Sequence, residues 1–121
     1  MSVVTPEQVE RRLKELSKLI DEAHDELVVA EKDYHDRKAY YEILMARSRM
    51  EYSTKSSPTG KNYTVGERDD MALIANSEAH QLIGIQEATV KACRANVARL
   101  RVQVDIARSI GTSVRTGMDA S

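Results

Sequence analysis

One cluster of turn-forming residues divides the chain into two long runs that contain few helix breakers. The cluster occupies residues 55–62 (KSSPTGKN). Each run opens with a threonine, and a glutamine or glutamate follows three residues later, as Thr5 with Gln8 and Thr64 with Glu67. This spacing is the capping box, in which the two side chains bond the free amides of a helix start. The sequence therefore predicts an all-α fold, a long antiparallel hairpin of two helices.

The C-terminal end of the second run is marked less clearly than its start. Gly111 favours the position just beyond a helix C-terminus, so we expect the second helix to end there. A short third helix through Val114 and Met118 is the alternative to an irregular tail. We predict a single domain, 1–121, composed of a helix at about 6–54, a loop at 55–63, a helix at 65–109 and a tail at 111–121.

Apolar residues recur at alternating spacings of three and four in both runs, which is the heptad pattern of coiled-coil packing. Arg37 interrupts the pattern in the first run, and Asn76 and Gln86 occupy polar positions in the second. The first seam consists of Val9, Leu13, Leu16, Ile20, Ala23, Leu27, Ala30, Tyr34, Tyr41 and Leu44. The second consists of Ala72, Ala79, Ile83, Val90, Cys93, Val97, Leu100, Val104 and Ala107. Two such seams predict a coiled coil between the two arms.

A second set of apolar residues widens both stripes beyond what one partner helix covers. It comprises Leu19, Val28, Val29, Tyr40, Ile43, Met45 and Met50 in the first run, and Leu73, Ile74, Ile85, Val102, Ile106 and Ile110 in the second. Such residues, if exposed, indicate an interaction surface. We predict a homo-oligomer assembled through Leu100, Val102, Val104, Ile106 and Ile110; a self-contained two-helix coiled coil is the alternative.

The remaining composition argues against enzymatic chemistry. The chain is 31% charged and has no Trp or Phe, which is typical of long amphipathic helices. It shows no phosphate-binding loop, zinc motif or nucleophile elbow, so we predict a non-enzyme without cofactor or metal. His24, His35 and His80 are expected at the surface, and Cys93 as a small buried residue. No signal-like or membrane-spanning apolar run occurs, so we expect a soluble, cytoplasmic protein with no membrane contact.

Charge is strongly segmented along the chain, although its formal net charge is only −1. Residues 7–36 carry five basic and ten acidic side chains, a net of −5, whereas residues 37–68 carry seven basic and three acidic ones, a net of +4. Four of the five tyrosines also lie within 37–68. Basic groups neutralise phosphates and aromatic rings stack on bases, so this segment predicts single-stranded DNA binding. The predicted contacts are Arg47, Arg49, Lys55, Lys61 and Tyr52. The alternative is that these cations only stabilise a helix C-terminus or lie in a solvated loop, without binding nucleic acid.

Residues 44–53 (LMARSRMEYS) resemble the corresponding segment of phage recombination mediators of the UvsY type. The shared elements are the Ala-Arg pair, the downstream Tyr-Ser and the passage into a basic, Gly-containing loop before a second long helix. Met45 stands where the family pattern has Lys, and Ser48 where it has Leu. The resemblance implies a ring-forming accessory that binds single-stranded DNA and loads a RecA-like recombinase onto strands coated by single-strand-binding protein. Arg47 is the DNA-contacting position that it implies directly.

Two other classes of function fit the same sequence. A coiled-coil adaptor or assembly protein would use the paired arms and the second apolar set without touching nucleic acid. A small inhibitor that blocks another machine by its shape is also compatible with the pattern.

Overall fold

The chain is all-helical in a computed structural model that describes residues 4–120, with side chains described to residue 118. Helix α1 spans Pro6–Thr54, α2 spans Val65–Ala75 and α3 spans Ser77–Ala120. Across the described residues the only β-type pairing is an isolated antiparallel bridge between Ser56 and Asn62. The helical-hairpin prediction is confirmed in this form, since α1 packs against α3; oligomerisation stays a prediction.

Both predicted capping boxes form. The Thr5 amide donates to Gln8 Oε1 at 2.9 Å, and the Gln8 amide donates to Thr5 Oγ1 at 3.2 Å. Thr64 and Glu67 repeat the exchange at 3.1 and 3.2 Å. Each box satisfies two amides that have no partner within their own helix. These local signals explain why α1 and α2 begin where the sequence predicts.

The connection between α1 and α2 contains a tight turn, flanked by the isolated bridge between Ser56 and Asn62. The Gly60 amide donates to the Ser57 carbonyl at 2.9 Å, and the Ser57 amide donates to the Lys61 carbonyl at 2.7 Å. Gly60 has φ of +80°, a left-handed conformation that glycine adopts without a steric penalty. Pro58 precedes it, and its fixed φ suits the turn. The turn therefore places Lys61 across from Ser57.

The predicted continuous helix 65–109 is wrong at Asn76, which separates α2 from α3. Asn76 has φ −114° and ψ 23°, and its side-chain Nδ2 donates to the Ala72 carbonyl at 2.8 Å and to Ser48 Oγ at 2.9 Å. A short amide side chain competes in this way with the backbone ladder of a helix. Its bond to Ser48 at the same time connects the break to α1.

The predicted helix end at Gly111 and the irregular tail 111–121 are also wrong, because α3 continues to Ala120. No separate third helix forms through Val114 and Met118, which belong to α3. Gly111 is buried, and a Cβ at this position would lie 2.9 Å from Val9 Cγ1. Glycine therefore allows α1 to approach α3 closely here, rather than ending the helix.

The chain divides into two compact units. The first combines the residues up to Val29 with those from Lys91 onward, and the second covers Ala30–Val90. In the first unit Leu16 is completely buried within an apolar cluster, and Arg12 Nη2 donates to Gln103 Oε1 at 3.3 Å across the helix pair. The other buried members of the cluster are Ala23, Val97, Leu100 and Ala107, with Leu13, Ile20, Leu27 and Val104 packed against them.

The core of the second unit mixes small apolar residues with amides. Ala30, Met45, Ala72 and Val90 are its buried apolar residues. Gln86 Nε2 donates to the Ala30 carbonyl at 3.2 Å, across the pair of helices. The prediction that Met45 belongs to the outer apolar set is wrong. Its side chain is buried, and its Sδ lies 3.9 Å from Asn76 Nδ2.

The predicted seams are the observed core. Every apolar residue assigned to either seam is buried or half-buried, as are Asn76 and Gln86, while Arg37 is exposed. Cys93 is half-buried rather than fully buried. A 3–4 spacing directs side chains to one stripe of each helix, and in this chain it predicts most of the residues that face inward, with Met45 as an exception.

Candidate nucleic-acid interface

The basic segment 37–68 lies in the second unit, where it forms the end of α1, the turn and the first residues of α2. Its predicted contact residues differ in how strongly other side chains engage them. These differences decide which cations are available to a phosphate.

Arg49 is partly neutralised. Its Nε donates to Asp69 Oδ1 at 2.8 Å, and both side chains are about half exposed. A solvent-exposed ion pair of this kind contributes only about 0–1 kcal/mol to stability, but it lowers the positive potential at Arg49. The two outer nitrogens of the Arg49 guanidinium, Nη1 and Nη2, take no part in this ion pair.

Lys55 is held by two neighbours. Its ammonium donates to Glu51 and lies 5.1 Å from the centroid of the Tyr52 ring. The hydrogen bond to Glu51 raises the pKa of Lys55 above its ordinary value. Glu51 therefore balances the charge of the Lys55 ammonium locally.

Tyr52 forms an edge-to-face pair with Tyr63, with ring centroids 5.4 Å apart and an interplanar angle of 87°. Both rings are half-buried. The Lys55 ammonium occupies one face of the Tyr52 ring. A base can therefore stack on only part of Tyr52, which makes this residue a weaker platform than the sequence predicts.

Arg47 and Lys61 differ from the other three predicted contacts. Both side chains are exposed, and no hydrogen bond or ion pair from the side chains described, residues 4–118, engages either cationic group. Arg47 lies on the last part of α1, and Lys61 lies in the turn. Their charges are fully available to an external anion.

Arg68, the last residue of the basic segment, is not among the predicted contacts. Its Nε donates to the Tyr63 carbonyl at 3.2 Å. It borders a cavity of about 260 Å³, which we call the paired-arginine groove, lined by Arg49, Met50, Ser53, Val65, Arg68 and Asp69. Tertiary structure brings these residues of α1 and α2 together. The one signal in the sequence that could have indicated the groove is an apolar residue, Met50, directly beside Arg49.

The predicted assembly residues separate into two groups. Leu100 is buried and Val104 half-buried, and both belong to the core of the first unit. Their assignment to an assembly surface is therefore corrected. Val102, Ile106 and Ile110 are 56%, 52% and 43% exposed, and we call these three the outer α3 stripe.

The histidines are engaged singly, not as a metal site. His24 is half-buried, contrary to expectation, and lies 3.2 Å from Arg101 Nη2. His80 packs beside Tyr41 and His35 beside Tyr34, each with ring centroids 5.4 Å apart. Among the residues that the structure describes, no group of three His, Cys, Asp or Glu side chains is arranged to hold a metal ion.

Comparisons with known proteins assign no family to this chain. No protein family matches the sequence, and no curated protein or solved structure matches it either. Within residues 4–120, none of the helices combines the length and apolar character needed to span a bilayer.

Proposed function

We propose that this protein is a non-enzymatic, homo-oligomeric helical protein that binds single-stranded DNA through the basic segment 37–68. The observation that carries the proposal is the exposure of Arg47 and Lys61 without a carboxylate partner in the described chain. They lie in a segment with a net charge of +4. These two cations are the principal phosphate contacts.

The other predicted contacts take secondary roles. Lys55 and Arg49 add positive charge that Glu51 and Asp69 partly balance, and Tyr52 offers part of a ring face. Binding is therefore dominated by phosphate neutralisation, which depends on salt and carries little base preference.

The biological role that we propose is recombination mediation. The resemblance of residues 44–53 to the UvsY type supports it, and Arg47, the position that this resemblance implies for DNA contact, is exposed. The protein partners would be a RecA-like recombinase or a single-strand-binding protein. Self-association through the outer α3 stripe is supported by three exposed β-branched side chains on a single helix.

Titration of fluorescently labelled single-stranded DNA at several salt concentrations tests the proposal. The variant Arg47→Ala/Lys61→Ala is expected to bind more weakly than the parent to all sequences. The slope of log K against log salt should also fall by about 1.4, because single strands lose about 0.7 per phosphate contact.

The matched control is Lys14→Ala/Lys18→Ala, which removes the same charge from two exposed positions in the acidic segment 7–36. It should retain most of the affinity. Absence of binding at low salt, or equal losses in the two variants, contradicts the proposal.

A protein-only assembly or adaptor role is the second candidate, and the exposed outer α3 stripe favours it. In that case Arg47→Ala/Lys61→Ala leaves partner binding unchanged, whereas Ile106→Glu abolishes it. An inhibitor that acts by shape would behave in the same way, and the two differ in whether the partner loses its activity.

A further inference from the structure

The paired-arginine groove combines exposed aliphatic side chains with two positioned guanidinium groups. Met50 is 72% exposed and Val65 is 70% exposed, so most of each residue is open to solvent. Arg49 and Arg68 border them from α1 and α2. Large exposed apolar side chains next to charged groups mark an interaction surface.

Both guanidiniums are held through Nε and keep their outer nitrogens for another group. Nε of Arg49 is bound to Asp69 and Nε of Arg68 to the Tyr63 carbonyl. In the part of the chain that the structure describes, no acceptor engages the Nη atoms of either arginine. A guanidinium that is fixed in this way loses less freedom when its outer nitrogens bind a carboxylate.

The same chain carries a surface of matching chemistry on α1, in the first unit. Val28 and Val29 are 64% and 60% exposed. Glu22, Asp25 and Glu26 precede them on the same helix and are exposed, and no ion pair or hydrogen bond from the side chains of residues 4–118 engages their carboxylates. We call these five residues the acidic face. Their spacings of three and four place them on adjoining parts of the helix surface.

We infer that the paired-arginine groove of one copy receives the acidic face of a second copy. The carboxylates would pair with the outer nitrogens of Arg49 and Arg68, and the two valines would cover Met50 and Val65. This inference rests on the self-association in the proposed function, and it is independent of DNA binding by Arg47 and Lys61.

The chemistry favours this occupant over nucleic acid. The exposed apolar side chains of the groove are aliphatic and offer no aromatic face for a base, whereas valine side chains match them. The acidic segment 7–36 and the basic segment 37–68 have net charges of −5 and +4, so the two segments attract each other and their charges nearly cancel. Since the two surfaces differ, the contact is heterologous and leads to a ring if the rotation closes, or to a filament if it does not.

A charge exchange between copies tests the inference. Variant A carries Arg49→Glu/Arg68→Glu, and variant B carries Glu22→Lys/Glu26→Lys. Association of a labelled copy with an unlabelled one is measured by sedimentation velocity for A with A, B with B, and A with B. The outer α3 stripe is unchanged in all three mixtures, so differences between them report the charged contact.

The A–B mixture should associate at least about tenfold more tightly than A–A or B–B, because opposite charges face each other only in the mixture. Equal association in all three mixtures overturns the inference. So does loss of single-stranded DNA affinity in A with no change in association, since that outcome makes the groove a nucleic-acid surface.

Variant A removes the Arg49–Asp69 ion pair, so a second variant keeps the test valid if A folds poorly. Val65→Asp places a carboxylate in the first turn of α2, where the helix dipole favours it. It should weaken association of the parent protein about tenfold while circular dichroism stays unchanged. Unchanged association of this variant overturns the inference, whereas failure of the DNA proposal is read separately from the Arg47→Ala/Lys61→Ala titration.

Discussion

The two compact units use the same heptad seam in different ways. In the first unit the seam is a continuous apolar cluster around Leu16, whose side chain is fully buried. In the second unit amides enter the seam, since Asn76 bonds to Ser48 and Gln86 to the Ala30 carbonyl. Apolar burial supplies most of the stability of a helix pair, whereas a polar seam position specifies register at some cost in stability. The first unit therefore has the apolar core cluster, and the second carries amides in its seam and the basic segment at its surface.

The largest expected effect is a cavity in the first unit. Leu16→Ala should lower the free energy of unfolding by about 2–5 kcal/mol, because the side chain is completely buried. Leu19→Ala is the matched control, since Leu19 is 41% exposed, and its cost should be below about 1 kcal/mol. Urea denaturation of both variants measures the difference. Similar losses in the two variants would show that the first unit is not packed around Leu16.

Two glycines in α3 compare the units directly. Gly111→Ala in the first unit places a Cβ 2.9 Å from Val9 Cγ1, and overpacking of this kind costs about 1–3 kcal/mol. Gly84→Ala in the second unit meets no atom within 4 Å, so it should stabilise the helix by up to about 1 kcal/mol. Thermal unfolding should therefore shift in opposite directions.

Val9→Ala combined with Gly111→Ala provides the control for the glycine pair. Removing the contacted methyl group should relieve the crowding, so the double variant should be more stable than the two separate losses predict. Strictly additive losses would indicate that Val9 is not the reason for glycine at position 111.

The smallest effect is expected at the surface of the second unit. Arg49→Ala removes an exposed ion pair with Asp69, so it should change the free energy of unfolding by less than about 1 kcal/mol. The change should shrink further in high salt because exposed charges are screened. Chemical denaturation at low and high salt measures both. A larger, salt-independent loss would show that the groove supports the core of the unit.

Most of the core was predictable from sequence, but the candidate interface was predictable only in part. The seam residues and both capping boxes follow from local spacing, and the structure confirms them. The basic segment was also apparent, and the i,i+4 spacing of Glu51 and Lys55 is a local signal for their ion pair. No local signal separates Arg47 and Lys61 from Arg49, because that distinction depends on Asp69, which is 20 residues from Arg49 in the chain.

The sequence by itself determined the helical class, the start of α1 and α2 and the stripe that each helix buries, because capping and heptad periodicity act over a few residues. Tertiary structure alone decided the role of Gly111, the break at Asn76 and the burial of Met45. Each of these depends on what the opposite helix or segment presents: the Val9 methyl group, the Ser48 hydroxyl or the Asn76 amide. In the sequence, Gly111 indicates a helix end and Asn76 a polar seam position. In the structure, the contacts with Val9 and Ser48 determine a different role for each residue.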